Sequence, residues 1–311
     1  MPELPEVEII TRQLATLVTG RTISTFASDW FRLTEPEPVA LVAKRLAGRT
    51  IEAVRRRGKL VVFALDGGDV LLTSLRMTGS FRYRASVGGV PRRPGARRTA
   101  AASGLAAPAA ERFVRARFAF VDGSGLDFVD LRKLGRMTLV DGREVAADDA
   151  GGDRTLRAPL HQAMGREPLS RGFTVAWLRA FLRRRGRAAI KPLLLDQRGI
   201  AGIGNIYASE ALWRAGIHPL RLAGSLGPAE AVRLHEGVRW VLRKAIRLRG
   251  STLRDFRDNR GEQGGMQHEF AVYARAGEPC ARCGRPIARS VIGGRSTFHC
   301  AACQRAPRRR P

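Results

Sequence analysis

IKPLLLDQRGIAGIGNIYASEALWRAGIHP, residues 190–219, decides how this chain folds, because it is helical on both sides of a glycine-rich turn. A helix over Ala188 to Leu195 leads into Gly199–Asn205, and a second over Ile206 to Ala215 stops at Gly216 before His218-Pro219. Gly202 and Gly204 would bring backbone N–H groups to the outside of the turn. Asn205 would sit at the mouth of the next helix, where the dipole favours phosphate. A dinucleotide fold requires a strand before such a turn, and none precedes this one. Upstream, Thr174 caps a helix carrying Val175, Leu178, Phe181 and Leu182 that stops at Gly186. Downstream, a long helix spans about Pro228 to Leu248.

Toward the N-terminus the period changes. After a first helix with Val7, Ile10, Leu14 and Leu17 on one face, short apolar runs recur: Thr22 to Ala27, Thr50 to Val54, Leu60 to Leu65, Val70 to Leu75, Phe118 to Val121, Leu126 to Val129 and Met137 to Val140. These read as antiparallel sheet. Sheet first and helices later predict an α+β protein of separate domains, not alternating βαβ units. The stretch from about 84 to 112 is almost all Ala, Gly, Pro and Arg, and reads as a flexible insertion. Residues 141–158 read as a linker. The expected boundaries are 1–145 for the sheet domain, 155–252 for the helical domain and 253–311 for a loop and terminal finger.

Composition narrows the partner. The 311 residues hold 55 Lys+Arg against 28 Asp+Glu, a formal charge of +27. Such a chain repels itself unless its usual partner is polyanionic, and nucleic acid is the first candidate. Compositional drift toward Arg explains why few of these bases are lysines, but not the excess over acids. No apolar run reaches the length of a membrane span, and the N-terminus does not read as a signal peptide.

Both ends carry chemistry. Cys280-x2-Cys283-x16-Cys300-x2-Cys303 uses every cysteine of the chain, and two CxxC knuckles so spaced make a four-thiolate tetrahedral site for one structural zinc ion. His299 is a competing ligand, but four thiolates already close the site. Between the knuckles, Val291 to Phe298 reads as a hairpin whose tip offers Arg295. At the other end, PELPEVE (2–8) follows an initiator Met that should be trimmed, leaving Pro2 with a free secondary amine. An α-amino group has a pKa near ~7.7–8.0, so a usable neutral fraction exists at neutral pH. Glu3 and Glu6 follow within one turn and can move a proton. The plainer reading is an ordinary helix start with Pro5 and acids in its first turn, and the two are compatible. Lys59, after Arg55-Arg56-Arg57-Gly58, reads on spacing alone as a solvated hairpin tip. Met77, beside a Gly turn, reads either as core filler or as an exposed apolar wedge.

Together these stretches resemble the formamidopyrimidine-DNA glycosylase family, which also contains endonuclease VIII. PELPEVE, RRGKLVVF (56–63), LRMTGSF (75–81), the stretch 190–219, GSTLRDF (250–256), VYARAGEPC (272–280) and GGRSTFHCAACQR (293–305) occur in the family's order. The resemblance implies a multidomain α+β enzyme: an N-terminal β-sandwich led by a helix, then a helix–two-turn–helix DNA-binding domain and a zinc ribbon. It implies a base-excision-repair glycosylase with abasic-site lyase activity, acting through a Pro2 Schiff base on double-stranded DNA containing oxidised purines or abasic sites. Glu3 would protonate the sugar ring oxygen, while Lys59, Asn205 and Arg295 would grip phosphates around the flipped nucleotide. Lys191 would make a further DNA contact, and Glu6 would face the base pocket. Met77 and Arg132 match two of three residues that fill the gap left by the flipped base. The third position, aromatic in the family, is Leu134 here, which loses stacking.

A monomer in the bacterial cytoplasm, bound to the nucleoid, follows from the same resemblance. Two rivals remain: an endonuclease VIII-like enzyme for oxidised pyrimidines, and a catalytically silent DNA-binding relative. Arg254 to Phe270 (RDFRDNRGEQGGMQHEF) favours the purine branch, because its length resembles that branch's lesion-recognition loop.

Overall fold

The computed structural model describes residues 2–86, 111–142, 164–253, 256–259 and 261–306. They fall into two compact units, Met1–Ala146 with Arg249–Gly264, and Ala147–Leu248 with Gly265–Pro311. The segment expected to run 253–311 as one piece is thus divided, with Arg249–Gly264 grouped with the first unit. The expected insertion lies outside the described residues over 87–110, as does the expected linker over 143–158.

In the first unit, α1 (Leu4–Val18) opens with Pro5 in its first turn and with the Glu6 carboxylate accepting the Glu3 N–H at 2.9 Å. Val7, Ile10, Leu14 and Val18 are fully buried. Val18 completes this face instead of Leu17, since steps of three, four and four residues keep to one side of a helix. Two four-stranded antiparallel sheets follow, ordered β1-β6-β7-β5 and β2-β3-β4-β8. The strands are β1 (Ile23–Ala27), β2 (Ile51–Arg57), β3 (Leu60–Leu65), β4 (Asp69–Ser74), β5 (Gly79–Arg84), β6 (Val114–Phe120), β7 (Gly125–Asp130) and β8 (Arg136–Asp141). Phe63 of one sheet meets Phe81 of the other edge-on at 5.7 Å, and Phe81 meets Phe128 at 5.3 Å. These rings join the two sheets in one core with the buried face of α1, which makes the unit the expected β-sandwich.

Two elements differ from the sequence reading. Helix α2 (Val39–Leu46) was not expected, because its buried face amounts to Val42 and Leu46 alone. Strand β5 occupies what read as a turn and loop. Its polar face misled: Arg82 and Arg84 both bond to the fully buried Asp127 on the neighbouring strand β7, so the arginines belong to the sheet.

The second unit is helical. Thr174 caps α3 (Val175–Arg184) by accepting the Trp177 N–H at 3.1 Å. Helix α4 (Ile190–Leu195) begins two residues later than expected, where Ile190 N–H donates to Arg221 at 2.8 Å. Helix α5 (Asn205–Ala215) ends at Gly216 in the left-handed region, and α6 (Pro228–Arg247) follows. At Gly237 a Cβ would lie 3.0 Å from the Ala211 carbonyl, so the missing side chain lets α6 approach α5 closely. A last hairpin pairs β9 (Ala288–Ile292) with β10 (Arg295–His299). No described helix is long and apolar enough to cross a membrane.

Candidate functional site

The N-terminal residues of α1 are packed inward. Pro2 is buried, Glu3 is 3% exposed and Glu6 2%. Glu6 was expected to face a base pocket. Both of its oxygens are engaged: Oε2 takes the Glu3 N–H, and Oε1 takes the Ser251 N–H at 2.8 Å and the Ser251 hydroxyl at 3.1 Å. A carboxylate with three donors holds backbone in place, so Glu6 shapes its surroundings through Ser251.

Lys59 sits half-buried in the β2–β3 turn beside Gly58, whose φ is 55°. The solvated-tip reading does not hold for its neighbour Arg56, which donates to Glu8 of α1 at 2.7 Å and to the Gly58 carbonyl at 3.0 Å. That pair docks the hairpin turn on α1. Burial alone would raise the Glu8 carboxyl, but the charge and hydrogen bond of Arg56, with those of Arg12, hold it below its ordinary value.

Met77, Arg132 and Leu134 are brought to one place by a residue the sequence reading missed. Asp130, fully buried at the end of β7, accepts the Arg132 N–H at 3.1 Å and the Thr78 hydroxyl on Oδ1. On Oδ2 it accepts the N–H groups of Leu134 and Gly135, both at 2.7 Å. Arg132 reaches the Met77 sulfur at 3.0 Å. Met77 and Leu134 remain 42% and 38% exposed, so the Met77 side chain is not core filler. An Asp directly before a polar loop is a turn signal, and that was the available clue.

In the second unit, Lys191, Asn205 and Arg295 gather around the β9–β10 hairpin. Its two-residue tip, Gly293-Gly294, has φ of 57° and 72°, the geometry of the tightest hairpins, and Arg295 follows it exposed. Lys191 is wholly buried and donates to Thr297 Oγ1 at 2.7 Å and to the Ser296 carbonyl at 3.2 Å. Asn205 Nδ2 donates to the same carbonyl at 2.9 Å, while its Oδ1 is buried without a partner. Lys191 therefore holds the hairpin from behind. The turn before Asn205 also differs from expectation. Gly202 N–H does not face outward; it donates to Gln197 Oε1 at 2.9 Å, and Gln197 Nε2 donates to Leu195 and Ile203 carbonyls.

The four cysteines form one cluster, with their sulfurs all within 4.8 Å of one another. Burial would raise Cys280, yet donors from the Trp213 indole and the amides of Arg282 and Cys283 bring it down to about 6. Burial and the neighbouring sulfurs push Cys303 up to about 12. Cys280 thus ionises readily while Cys303 resists, so four sulfurs this close hold full thiolate charge only against a cation. The donor set and spacing fit one tetrahedral zinc ion bound by Cys280, Cys283, Cys300 and Cys303. His299 packs edge-on against His218 at 4.6 Å and is not part of the cluster.

The segment Arg249–Gly264 is fastened to α1. Gln13 donates to Asp258 Oδ2 at 2.8 Å and accepts the Asn259 N–H at 2.9 Å, while Phe256 packs against the sandwich core. Gln13 was missed because a single polar residue on a helix gives no sign of a partner about 245 residues away.

Comparison with known proteins finds matches along most of the chain. Residues 1–137 match the formamidopyrimidine-DNA glycosylase N-terminal domain, 164–257 the H2TH domain of the same enzyme, and 277–306 the zinc finger found in FPG and IleRS. The formamidopyrimidine-DNA glycosylase of Chloroflexus aggregans is 44% identical over 307 residues, covering 98% of both chains. Lactococcus lactis Fpg solved with abasic-site DNA aligns with a TM-score of 0.79 at 31% identity, covering 98% of this chain and 100% of that one. A variant of the same Lactococcus protein solved with Fapy-dG DNA aligns with identical values.

Proposed function

This chain belongs to the formamidopyrimidine-DNA glycosylase family, and from that premise we propose that it excises oxidised purines, 8-oxoguanine and formamidopyrimidines, from duplex DNA and then cleaves the abasic site. The observation that carries the reading is the N-terminal turn, where Pro2 and Glu3 lie buried beside the Glu6 anchor and next to the turn bearing Lys59.

Once Met1 is removed, the Pro2 amine attacks C1′ of the flipped deoxyribose, the N–C1′ bond forms and the C1′–base bond breaks. The amine's N–H proton leaves with the departing base, Glu3 gives a proton to the ring oxygen, the bond from C1′ to that oxygen breaks as the sugar opens, and a positively charged iminium, the Schiff base of a secondary amine, remains. Its positive charge acidifies C2′, whose proton is lost as the 3′ phosphate leaves; a second elimination releases the 5′ phosphate. Lys59, Asn205 and Arg295 neutralise those phosphates, a role suited to cations and N–H donors presented on turns and helix starts. Lys191 supports this grip by holding the hairpin. Met77, Arg132 and Leu134 fill the space left by the flipped base, with Leu134 contributing bulk but no stacking. When bound, zinc supplies charge balance for the four thiolates and rigidity to the ribbon. The enzyme acts as a monomer in the bacterial cytoplasm.

Duplexes carrying 8-oxoguanine, formamidopyrimidine or thymine glycol, compared under single-turnover conditions, test the reading. Incision should be fastest on the two purine lesions. Preferential incision at thymine glycol would replace it with the pyrimidine-directed activity, and incision of none would leave a silent DNA-binding protein.

A further inference from the structure

The outer face of α6 carries Arg233, Glu236, Trp240, Arg243 and Arg247, at steps of three, four, three and four residues that place them in one stripe. With Arg214 from the end of α5 and Arg282 from the first zinc knuckle, the stripe lines a groove of about 740 Å³. Every lining residue belongs to the second unit.

The groove's charge is lopsided. Several arginines elsewhere meet carboxylates, as Arg45 does with Glu37 and Asp69, Arg82 with Asp127 and Arg221 with Glu230. The sole acid lining this groove is Glu236, and no arginine in it makes an ion pair among the described residues. Neutral groups aim four of the six, Arg214, Arg233, Arg239 and Arg282. Arg233 donates to the Ala215 carbonyl at 3.1 Å, Arg239 to Pro168 and Ser170 at 3.1 and 3.0 Å, and Arg282 to Trp213 and Arg214 at 3.0 and 2.9 Å. The Arg214 guanidinium lies 3.7 Å over the Trp240 ring. A carbonyl or an aromatic face fixes a guanidinium without cancelling its charge. The crowding registers in the groups themselves: burial and then Arg282 push the Arg214 pKa down, and burial and then Arg243 do the same to Arg239. Pre-oriented, unneutralised guanidinium forks suit phosphate oxygens.

We propose that this groove is a second DNA-binding site, distinct from the hairpin donors Lys191, Asn205 and Arg295, and that it holds the sugar–phosphate backbone of a lesion-free DNA segment. Length favours a polymer. Arg233 to Arg247 spans fourteen residues, roughly 21 Å of helix at ~1.5 Å per residue. One DNA strand presents a phosphate every ~3.4 Å of axis, so about six phosphates face such a stripe. A phosphate ion or free nucleotide would engage only a fraction of it. Arg214 lies nine residues beyond Asn205 on α5, about 13 Å along the axis, so the two donor sets do not share a phosphate.

The test loads the full-length zinc-bound protein with a saturating short duplex bearing an uncleavable abasic analogue, then titrates a labelled lesion-free duplex. A ternary complex should form. R233Q/R243Q/R247Q should weaken the second duplex at least tenfold, with the salt slope of log K falling by about 2–3. Binding and incision of the short lesion duplex should be unchanged. The proposal is overturned by absence of a ternary complex in the wild type, or by equal loss of both duplexes in the variant, which would place these arginines in the lesion footprint. Inorganic tripolyphosphate binding as tightly as the duplex would also overturn it, by making a small polyanion the occupant. Should the lesion duplex itself fail to bind, the glycosylase reading falls, while the lesion-free duplex titrated alone still reads the groove.

Discussion

Glu6 and Ser251 are 245 residues apart in sequence, yet the Ser251 N–H donates to the Glu6 carboxylate at 2.8 Å inside one compact unit. The same carboxylate takes the Glu3 N–H, so one buried side chain fixes both the turn bearing Pro2 and the start of the Arg249–Gly264 segment.

Replacing Glu6 with Ala should therefore strand two buried N–H groups and destabilise the protein by roughly 2–4 kcal/mol, with unsatisfied donors costing about 1–3 kcal/mol each in general. Urea unfolding measures this. Glu6→Gln keeps one acceptor oxygen and should lie between wild type and Glu6→Ala; equal stability of all three would remove the anchoring role.

Borohydride added during incision should trap a covalent protein–DNA adduct, and peptide mapping should place the cross-link on Pro2. Retained Met1, or a tag fused directly to Pro2, should abolish both base release and strand cleavage. An adduct on Lys59 would assign the nucleophile elsewhere.

Zinc should be present at one equivalent per chain. Chelation or Cys300→Ser should lower DNA affinity at least tenfold, because Lys191 and Asn205 both bond to a hairpin held by the ribbon. The β-sandwich has its own core, so its unfolding transition should persist. Normal binding by the metal-free protein would show that Arg295 is positioned without the ribbon.

Gln13→Ala should release Asp258 from α1 and leave Asn259 held there only by its bond to the Ile10 carbonyl at 3.3 Å. If the loop Arg254 to Phe270 is a lid over an oxidised purine, this variant should lose 8-oxoguanine excision by about tenfold while cleaving pre-formed abasic sites normally. Deleting 259–267 should exaggerate the split. Equal loss on both substrates, or on neither, would sink the lid.

Glu8 sets an acid limit. Its folded carboxyl lies below the ordinary 4.5 because Arg56 and Arg12 outweigh burial, so the unfolded chain takes up the proton first as pH falls. The stabilisation is fully present above about pH 4.5 and is lost as pH drops through the lowered value. Arg56→Gln should cost roughly 1.5–3 kcal/mol at neutral pH, as for a hydrogen bond to a charged partner, and should flatten that acid dependence. An unchanged acid profile in denaturation would remove Glu8 from the account.

Periodicity made most of the fold readable. Val7, Ile10 and Leu14 announced α1, the apolar runs announced the sandwich, and the cysteine spacing announced the ribbon. What stayed hidden depends on partners far along the chain. Asp130, Gln13 and Gln197 are single polar residues whose meaning appears only when a loop, a distant segment or a turn closes on them. Strand β5 was missed because its arginines neutralise a buried Asp127, a pairing invisible in local pattern. Lys191 was legible as important, but its burial behind the hairpin was not.

The first unit is built from two pieces of chain, and this gives it a timetable. Its residues up to Ala146 emerge early from a ribosome, but Ser251, Asp258 and Asn259 arrive about a hundred residues later. At ~5–20 residues per second, that interval lasts on the order of 5–20 s. Throughout it the Glu6 carboxylate and the Gln13 amide lack their distant partners. The turn bearing Pro2 thus reaches its final setting only after the helices of the second unit have been synthesised, so a nascent or prematurely terminated chain carries that turn's sequence without its finished surroundings.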